Sequence, residues 1–214
     1  MKHEKILADV GNYYTEKVKT FGATPKGVDW NSEESQKLRF EQLLKVIPEK
    51  DNFEILDYGC GYGSLYEFMK DKYESFHYLG YDISQEMIEE ARKRYGINPG
   101  DNGENIRIFQ RNLFHDVTFD YVIASGIFNV KLDKTDKEWK AYITSTLRKM
   151  NKLSDKGFAF NILTQYSDEE FMKDNLYYAD PAYWFNFCKN NFSRHVALLH
   201  DYPLFEFTIL VKKY

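Results

Sequence analysis

Apolar positions along the chain change their spacing near residue 50. Beyond it, short apolar runs alternate with segments in which apolar residues return every three or four positions. That alternation predicts βαβ units and a parallel sheet. The predicted strands are 53–58, 77–82, 106–110, 119–124 and 158–163, the last of them preceded by Gly157. Two β-rich runs, 194–199 and 205–211, flank the turn at 200–204 and predict a closing antiparallel hairpin. Between the strands, Leu65, Phe68, Met69 and Tyr73 share one helical face, and Met87, Ile88, Ala91 and Tyr95 share another. Ser84 is placed to cap the second of these helices, with Gly96 just past its end. A helix from about residue 136 turns Trp139, Tyr142, Ile143, Leu147 and Met150 inward, and Asp180-Pro181 opens one reaching about residue 190. Before residue 50, Gly22, Pro25 and Gly27 punctuate a loop. A helix follows, capped by Asn31 or Ser32, with Leu38, Leu43, Leu44 and Ile47 on its buried face and Pro48 at its end. The whole reads as one domain, 1–214, in which a helical cap or lid (1–50) covers an α/β core (51–214). The expected core is a doubly wound, mostly parallel seven-stranded sheet.

Composition narrows the class. The 214 residues carry 29 Lys and Arg against 33 Asp and Glu, a net charge of −4, which leaves no electrostatic footprint for nucleic acid. No apolar run approaches the ~18 residues of a membrane span, and the charged start leads into no signal region. A cytoplasmic protein is expected, with neither a membrane nor a nucleic-acid partner. Cys60 and Cys188 have no zinc or redox spacing, no histidine pair has ligand spacing, and no metal is expected. Aromatic residues make up 17% of the chain (17 Tyr, 17 Phe, 3 Trp). They serve either as core filler or as the walls of a pocket for a planar or cationic ligand.

The chemistry is concentrated in Asp57-Tyr58-Gly59-Cys60-Gly61-Tyr62-Gly63, which joins an apolar strand to a helix. Alternate glycines let the backbone turn tightly and let a ligand approach without a Cβ in the way. The next strand ends in Asp82, at a spacing suited to a carboxylate that receives a ribose diol. A dinucleotide fits a Gly-x-Gly-x-x-Gly spacing better, and Asp57 would repel a diphosphate while attracting an ammonium group. The arrangement resembles the Rossmann-like class I S-adenosylmethionine-dependent methyltransferases, over strand order from about residue 50 to the end. The resemblance implies S-adenosylmethionine (SAM) as cofactor. Asp57 then stands near the methionine ammonium, and Tyr58, Gly59, Cys60, Gly61 and Gly63 form the loop beside methionine and ribose. Asp82 takes the ribose, and Ile83 and Met87 form the wall beside the adenine. Where the family often has an acid for the adenine amino group, this chain has Asn112-Leu113, which implies an amide or backbone contact. Ser125 opens the segment Ser125-Gly126-Ile127-Phe128-Asn129, where cofactor and acceptor are expected to meet.

That segment lacks the Asn/Asp-Pro-Pro-Tyr/Phe signature of enzymes acting on base amino groups, so a small-molecule acceptor, methylated on O or N, is expected. Acceptor contacts are expected from Tyr13, Tyr14 and Trp30 in the cover and from Tyr166 and Tyr177 in the loop after strand five. Asn129, Tyr178 and His200 are the candidate catalytic groups, with His200 as the possible base and Asp201 beside it. A catalytically silent SAM-binding module and a nicotinamide-dependent oxidoreductase remain as alternatives. The oligomeric state is not readable from the sequence.

Overall fold

The computed structural model describes residues 2–30, 32–48, 50–97, 107–110 and 117–214. Its contacts divide the chain into two units, Met1–Phe40 with Pro48–Val117, and Glu41–Ile47 with Thr118–Tyr214.

The first unit holds three parallel strands, β1 (Phe53–Tyr58), β2 (Phe76–Tyr81) and β3 (Arg107–Gln110), in the order β3-β2-β1. Its helices are α1 (Lys2–Phe21), α3 (Ser64–Lys70), α4 (Gln85–Tyr95) and the start of α2 (Glu33–Leu44), which continues past the division. The caps of α4 are those expected: the Ser84 hydroxyl accepts from the Met87 amide, and Gly96 closes the helix in the left-handed region. Residue 106, the expected start of β3, lies outside the described residues.

Two features here depart from expectation. The 20-residue α1 is not predicted, because Gly11 and scattered charges interrupt its pattern. Its buried Ile6, Val10 and Val18 nevertheless recur at multiples of four, the spacing of one helical face. Gly11 is where α1 passes Ile83, within van der Waals reach of any added Cβ. In α2, Ser32 is the cap, exchanging hydrogen bonds with Ser35 (3.2 and 3.3 Å), while Asn31 lies outside the described residues. The buried face of α2 includes Gln36, Arg39 and Gln42, whereas Leu38 is half-buried. Gln36 and Arg39 turn inward because they meet Tyr62 and Trp30.

The second unit holds β4 (Phe119–Ala124), β5 (Ser154–Leu163), β6 (His195–Leu199) and β7 (Glu206–Lys212), in the order β4-β5-β7-β6. β4 and β5 are parallel, while β7 lies antiparallel to both β5 and β6, which gives the expected hairpin. Together the strands make the α/β, mostly parallel, Rossmann-like class with an antiparallel carboxyl end. α5 (Asp136–Leu153) starts at a capping box between Thr135 and Glu138, and α6 (Pro181–Asn191) starts at Asp180-Pro181. Every predicted inward residue of α5 is buried, and Trp139, fully enclosed, donates from Nε1 to the Phe128 carbonyl (2.8 Å). β5 begins four residues earlier than expected. Gly157 was the cue for a strand start, but it lies inside β5, where a Cβ would stand 2.5 Å from the Val211 carbonyl oxygen. The missing side chain admits β7, so the glycine marks a close backbone approach within the strand.

Among the described residues no helix is long and apolar enough to cross a membrane.

Candidate functional site

In the first unit, parallel pairing sets Tyr58 beside Tyr81, so the segments after β1 and β2 leave the sheet at the same edge. The glycine loop is tied to that edge by its own backbone. The Gly59 and Cys60 amides donate to the Tyr81 carbonyl (2.7 and 3.0 Å), and the Gly63 amide donates to the Cys60 carbonyl (2.9 Å). The Gly61 amide donates to Asp82 Oδ2 (2.9 Å), whose Oδ1 accepts from the Ser84 amide (2.9 Å). Two glycines are required by the geometry. Gly61 (φ +53) and Gly63 (φ +82) sit in the left-handed region, and a Cβ at Gly63 would meet the Phe109 ring at 2.7 Å. The amides of residues 59, 60, 61 and 63 are therefore spent inside the protein and are not arrayed for an anion.

The loop's surroundings are acidic and dry. Asp57 is buried, and its Oδ2 accepts a 2.5 Å hydrogen bond from the Tyr78 hydroxyl. Burial pushes the Asp57 carboxyl up to about 7, against the Tyr78 hydrogen bond, which favours the charged form, and with a smaller upward push from Asp82. Asp82 is also raised by burial, opposed by the amides of Ser84, Gly61 and Ile83. The Tyr78 hydroxyl and Cys60 thiol are both held well above their ordinary values by burial, so neither ionises near neutrality.

These shifts have a sign that stability measurements can read. Between its ordinary 3.8 and about 7, Asp57 holds a proton in the folded state and loses it in the unfolded state. Stability therefore falls as pH rises through that window and levels off above it. The melting temperature of the ligand-free protein is expected to drop between pH 5 and pH 7.5, and Tyr78→Phe to extend the drop to higher pH. A melting series across those pH values checks both.

Near the loop, Met87 is buried and Ile83 half-buried beside α1. Tyr62 exchanges long hydrogen bonds with buried Gln36 (3.5 Å), which brings α2 to the loop. Tyr13 and Tyr14 are half-buried and meet edge to face, with centroids 5.3 Å apart. The Tyr13 hydroxyl donates to Asp29 Oδ2 (2.5 Å), and Lys17 pairs with the same carboxylate (2.6 Å). Trp30 carries the buried Arg39 guanidinium on its ring at 4.0 Å. Asn112 and Leu113 lie outside the described residues.

In the second unit, the segment after β4 is fastened to β5 by two asparagines. The Gly126 amide donates to Asn161 Oδ1 (2.7 Å), and the Leu163 amide donates to Asn129 Oδ1 (3.1 Å). The Tyr177 amide donates to the Asn129 carbonyl (2.8 Å), so these two candidates come together through backbone. Tyr177 is buried, and burial raises its hydroxyl to about 12. The half-buried Tyr178 accepts at its hydroxyl from the Lys173 amide (3.0 Å). Tyr166 and His200 also come together, ring centroids 6.0 Å apart, both exposed. The Ser125 Oγ is buried with no hydrogen-bond partner among the described residues. Sequence reasoning does not single out Tyr78, Asn161 or Glu206. Their only prior signal is a polar side chain next to apolar residues in a strand.

A sequence profile described as a methyltransferase domain matches residues 56–157. The protein Rv1506c of Mycobacterium tuberculosis H37Rv, whose name assigns it to the methyltransferases, is 45% identical over 170 residues, which is 79% of this chain and 99% of that protein. This chain belongs to the methyltransferase family. Its fold is shared with magnesium protoporphyrin IX methyltransferase from Synechocystis PCC 6803 with bound S-adenosylhomocysteine (SAH), at TM-score 0.61, 17% identity and 84% coverage of both chains. The PH0226 protein of Pyrococcus horikoshii OT3 gives 0.61, 16% identity and coverage of 92% and 99%. Small RNA methyltransferase HEN1 gives 0.62, 14% identity, and coverage of 83% of this chain and 25% of that one. In this methyltransferase the matched segment contains the glycine loop, Asp82 and the Ser125–Asn129 segment, and it stops before Asn161.

Proposed function

We propose that this methyltransferase binds SAM at the Asp57–Gly63 loop and transfers its methyl group to an O or N atom of a small molecule. The observation that carries the reading is the loop's hydrogen-bond inventory. A pyrophosphate would meet four amides already engaged and a buried acid, whereas an ammonium group meets a carboxylate. Asp57 is the partner of that ammonium, and its carboxyl releases its proton as the cation arrives. Asp82 accepts from the Gly61, Ser84 and Ile83 amides and keeps acceptor capacity for a ribose hydroxyl. Tyr58, Gly59, Cys60, Gly61 and Gly63 lie along methionine and ribose, Ile83 and Met87 along the adenine, and Asn112, Leu113 and Ser125 complete the cofactor contacts.

When bound, SAM supplies an electrophilic methyl on a sulfonium, open to in-line displacement. The protein's part is to orient the acceptor and, where the acceptor holds its proton tightly, to remove it. We assign acceptor contacts to Tyr13, Tyr14, Trp30, Tyr166 and Tyr177. Asn129 and Tyr178 orient the acceptor, and His200 is the candidate base. A small acceptor is favoured over RNA by local charge. Exposed Asp168, Glu169, Glu170, Asp174 and Asp201 flank Tyr166 and His200 in sequence and would repel a phosphate backbone.

Turnover against a metabolite mixture, read as SAH release, tests the activity. With a responding acceptor, His200→Gln is expected to lower turnover about a hundredfold at unchanged cofactor affinity if His200 is the base. A loss of only a few fold would assign the acceleration to positioning. SAM binding without any SAH release would favour a silent module.

A further inference from the structure

Resting on the small-molecule reading above, we infer that the acceptor is an organic cation, an amine carried on an apolar body, and that it docks on an aromatic surface built from two turns of the second unit. The first turn follows β5 (164–174) and the second joins β6 to β7 (200–205). Antiparallel pairing sets Leu163 opposite Glu206, and the Thr164 amide donates to the Phe205 carbonyl (3.1 Å), so the two turns leave the sheet side by side. β4 and β5 run parallel, so the end of β5 is a carboxyl edge, where doubly wound sheets receive ligands. Hydrogen bonds fix the shape of both turns. The Ser167 hydroxyl donates to the Thr164 carbonyl (2.7 Å), the Gln165 amide donates to the Ala179 carbonyl (2.9 Å), and the Tyr202 and Thr208 hydroxyls pair across the hairpin (2.9 Å).

On this scaffold four rings meet in two pairs. Tyr166 lies 6.0 Å from His200 and Phe171 lies 6.0 Å from Phe205, centroid to centroid. Tyr166 is 68% exposed, Phe171 59% and Phe205 43%, so these rings contribute little to the core. Single apolar residues on a surface need no explanation, but touching pairs drawn from two separate turns form a patch. Charge selects its occupant. The two turns carry Asp168, Glu169, Glu170, Asp174 and Asp201, with Lys173 the only lysine or arginine. All five acids are exposed, and none forms an ion pair among the described residues. That rim repels an anion, and a neutral ring leaves it unused. An ammonium group gains on both counts, because it sits favourably over a ring face and its N–H groups are donors that carboxylates accept. Each such contact is weak at an exposed site, and the apolar body lying on the rings supplies the remaining affinity.

Three probes that share one ring and chain test the class: 3-phenylpropylamine, 3-phenylpropanol and 3-phenylpropionate, titrated into the full-length protein at low salt by ligand-observed nuclear magnetic resonance. The amine is expected to bind about three- to tenfold tighter than the alcohol, and the propionate more weakly than either. Raising sodium chloride to about 0.5 M is expected to bring the amine within about twofold of the alcohol. Asp168→Asn, Glu169→Gln and Glu170→Gln combined are expected to do the same at low salt and to leave the alcohol unchanged. Phe171→Ala with Phe205→Ala is expected to weaken all three probes, and a melting curve checks that each variant is folded. An amine no tighter than the alcohol, or a preference that survives the triple variant, overturns the inference and leaves the SAM reading intact. A basic apolar peptide, acetyl-Lys-Phe-Lys-Phe-amide, bound more than about a hundredfold tighter than the amine would give the surface to a protein partner and overturn it too. In turnover, a metabolite extract split by cation exchange is expected to release SAH with the retained fraction. Release with the unretained fraction alone overturns the inference. Release with neither fraction, or failure of the wild-type protein to bind SAM or SAH, overturns the parent reading, and the inference with it.

Discussion

Gly61→Val is expected to weaken SAM and SAH binding by at least a hundredfold while leaving the far-ultraviolet circular dichroism near that of wild type. Gly61 holds φ +53, which a β-branched residue almost never adopts, and its Cβ would stand 3.2 Å from Val28 Cγ1. To relieve both, the loop must rotate, and rotation breaks the bond from the Gly61 amide to Asp82 Oδ2. The change therefore disturbs the loop and the second acid together, while the strands on either side keep their own pairing. A hundredfold corresponds to about 2.7 kcal/mol, within the reach of one misplaced loop. Titration of SAH into the variant checks it, and retained affinity would show that the loop does not touch the ligand.

Asp57→Asn is expected to move stability and binding in opposite directions. Ionised Asp57 is a buried charge, and a carboxyl displaced from 3.8 to about 7 carries roughly 4 kcal/mol of burial penalty above pH 7, as an upper figure. The amide removes that charge and still offers an oxygen to the Tyr78 hydroxyl. The ligand-free variant should melt several degrees higher than wild type at pH 8, and its melting temperature should lose most of the fall between pH 5 and pH 7.5. SAM affinity should drop ten- to a hundredfold, the usual range for losing a charge-assisted hydrogen bond. In the wild type, SAM affinity should rise from pH 5.5 to pH 7 as Asp57 gives up its proton, and in Asp57→Asn that rise should disappear. A variant both less stable and unchanged in SAM affinity would remove Asp57 from the cofactor's surroundings.

Much of the fold is legible because its elements obey local rules. Ser84, Gly96 and Asp180-Pro181 mark helix ends that depend only on neighbouring residues. The strand alternation from residue 53 onward depends on burial pattern. Gly157 misleads for the opposite reason: its role is set by β7, more than fifty residues away in sequence, and no local pattern carries that. The inward polar face of α2 is hidden for the same reason, since Gln36 reads as a solvent residue until Tyr62 is placed beside it. In the site, the acid and glycine positions stand out by spacing. Tyr78 does not, because a tyrosine in an apolar strand signals burial and nothing about the carboxylate it meets. Asn161 and Glu206 are polar letters in two different strands, and only the β5–β7 register joins them.

Calorimetric titration of the wild-type protein at pH 7.5 with SAM, and in parallel with NAD, decides whether the loop receives a cationic, phosphate-free cofactor. Saturable, one-to-one binding of SAM at micromolar concentrations is expected, with no measurable heat from NAD. Saturable NAD binding with none for SAM would overturn the assignment of the loop to SAM.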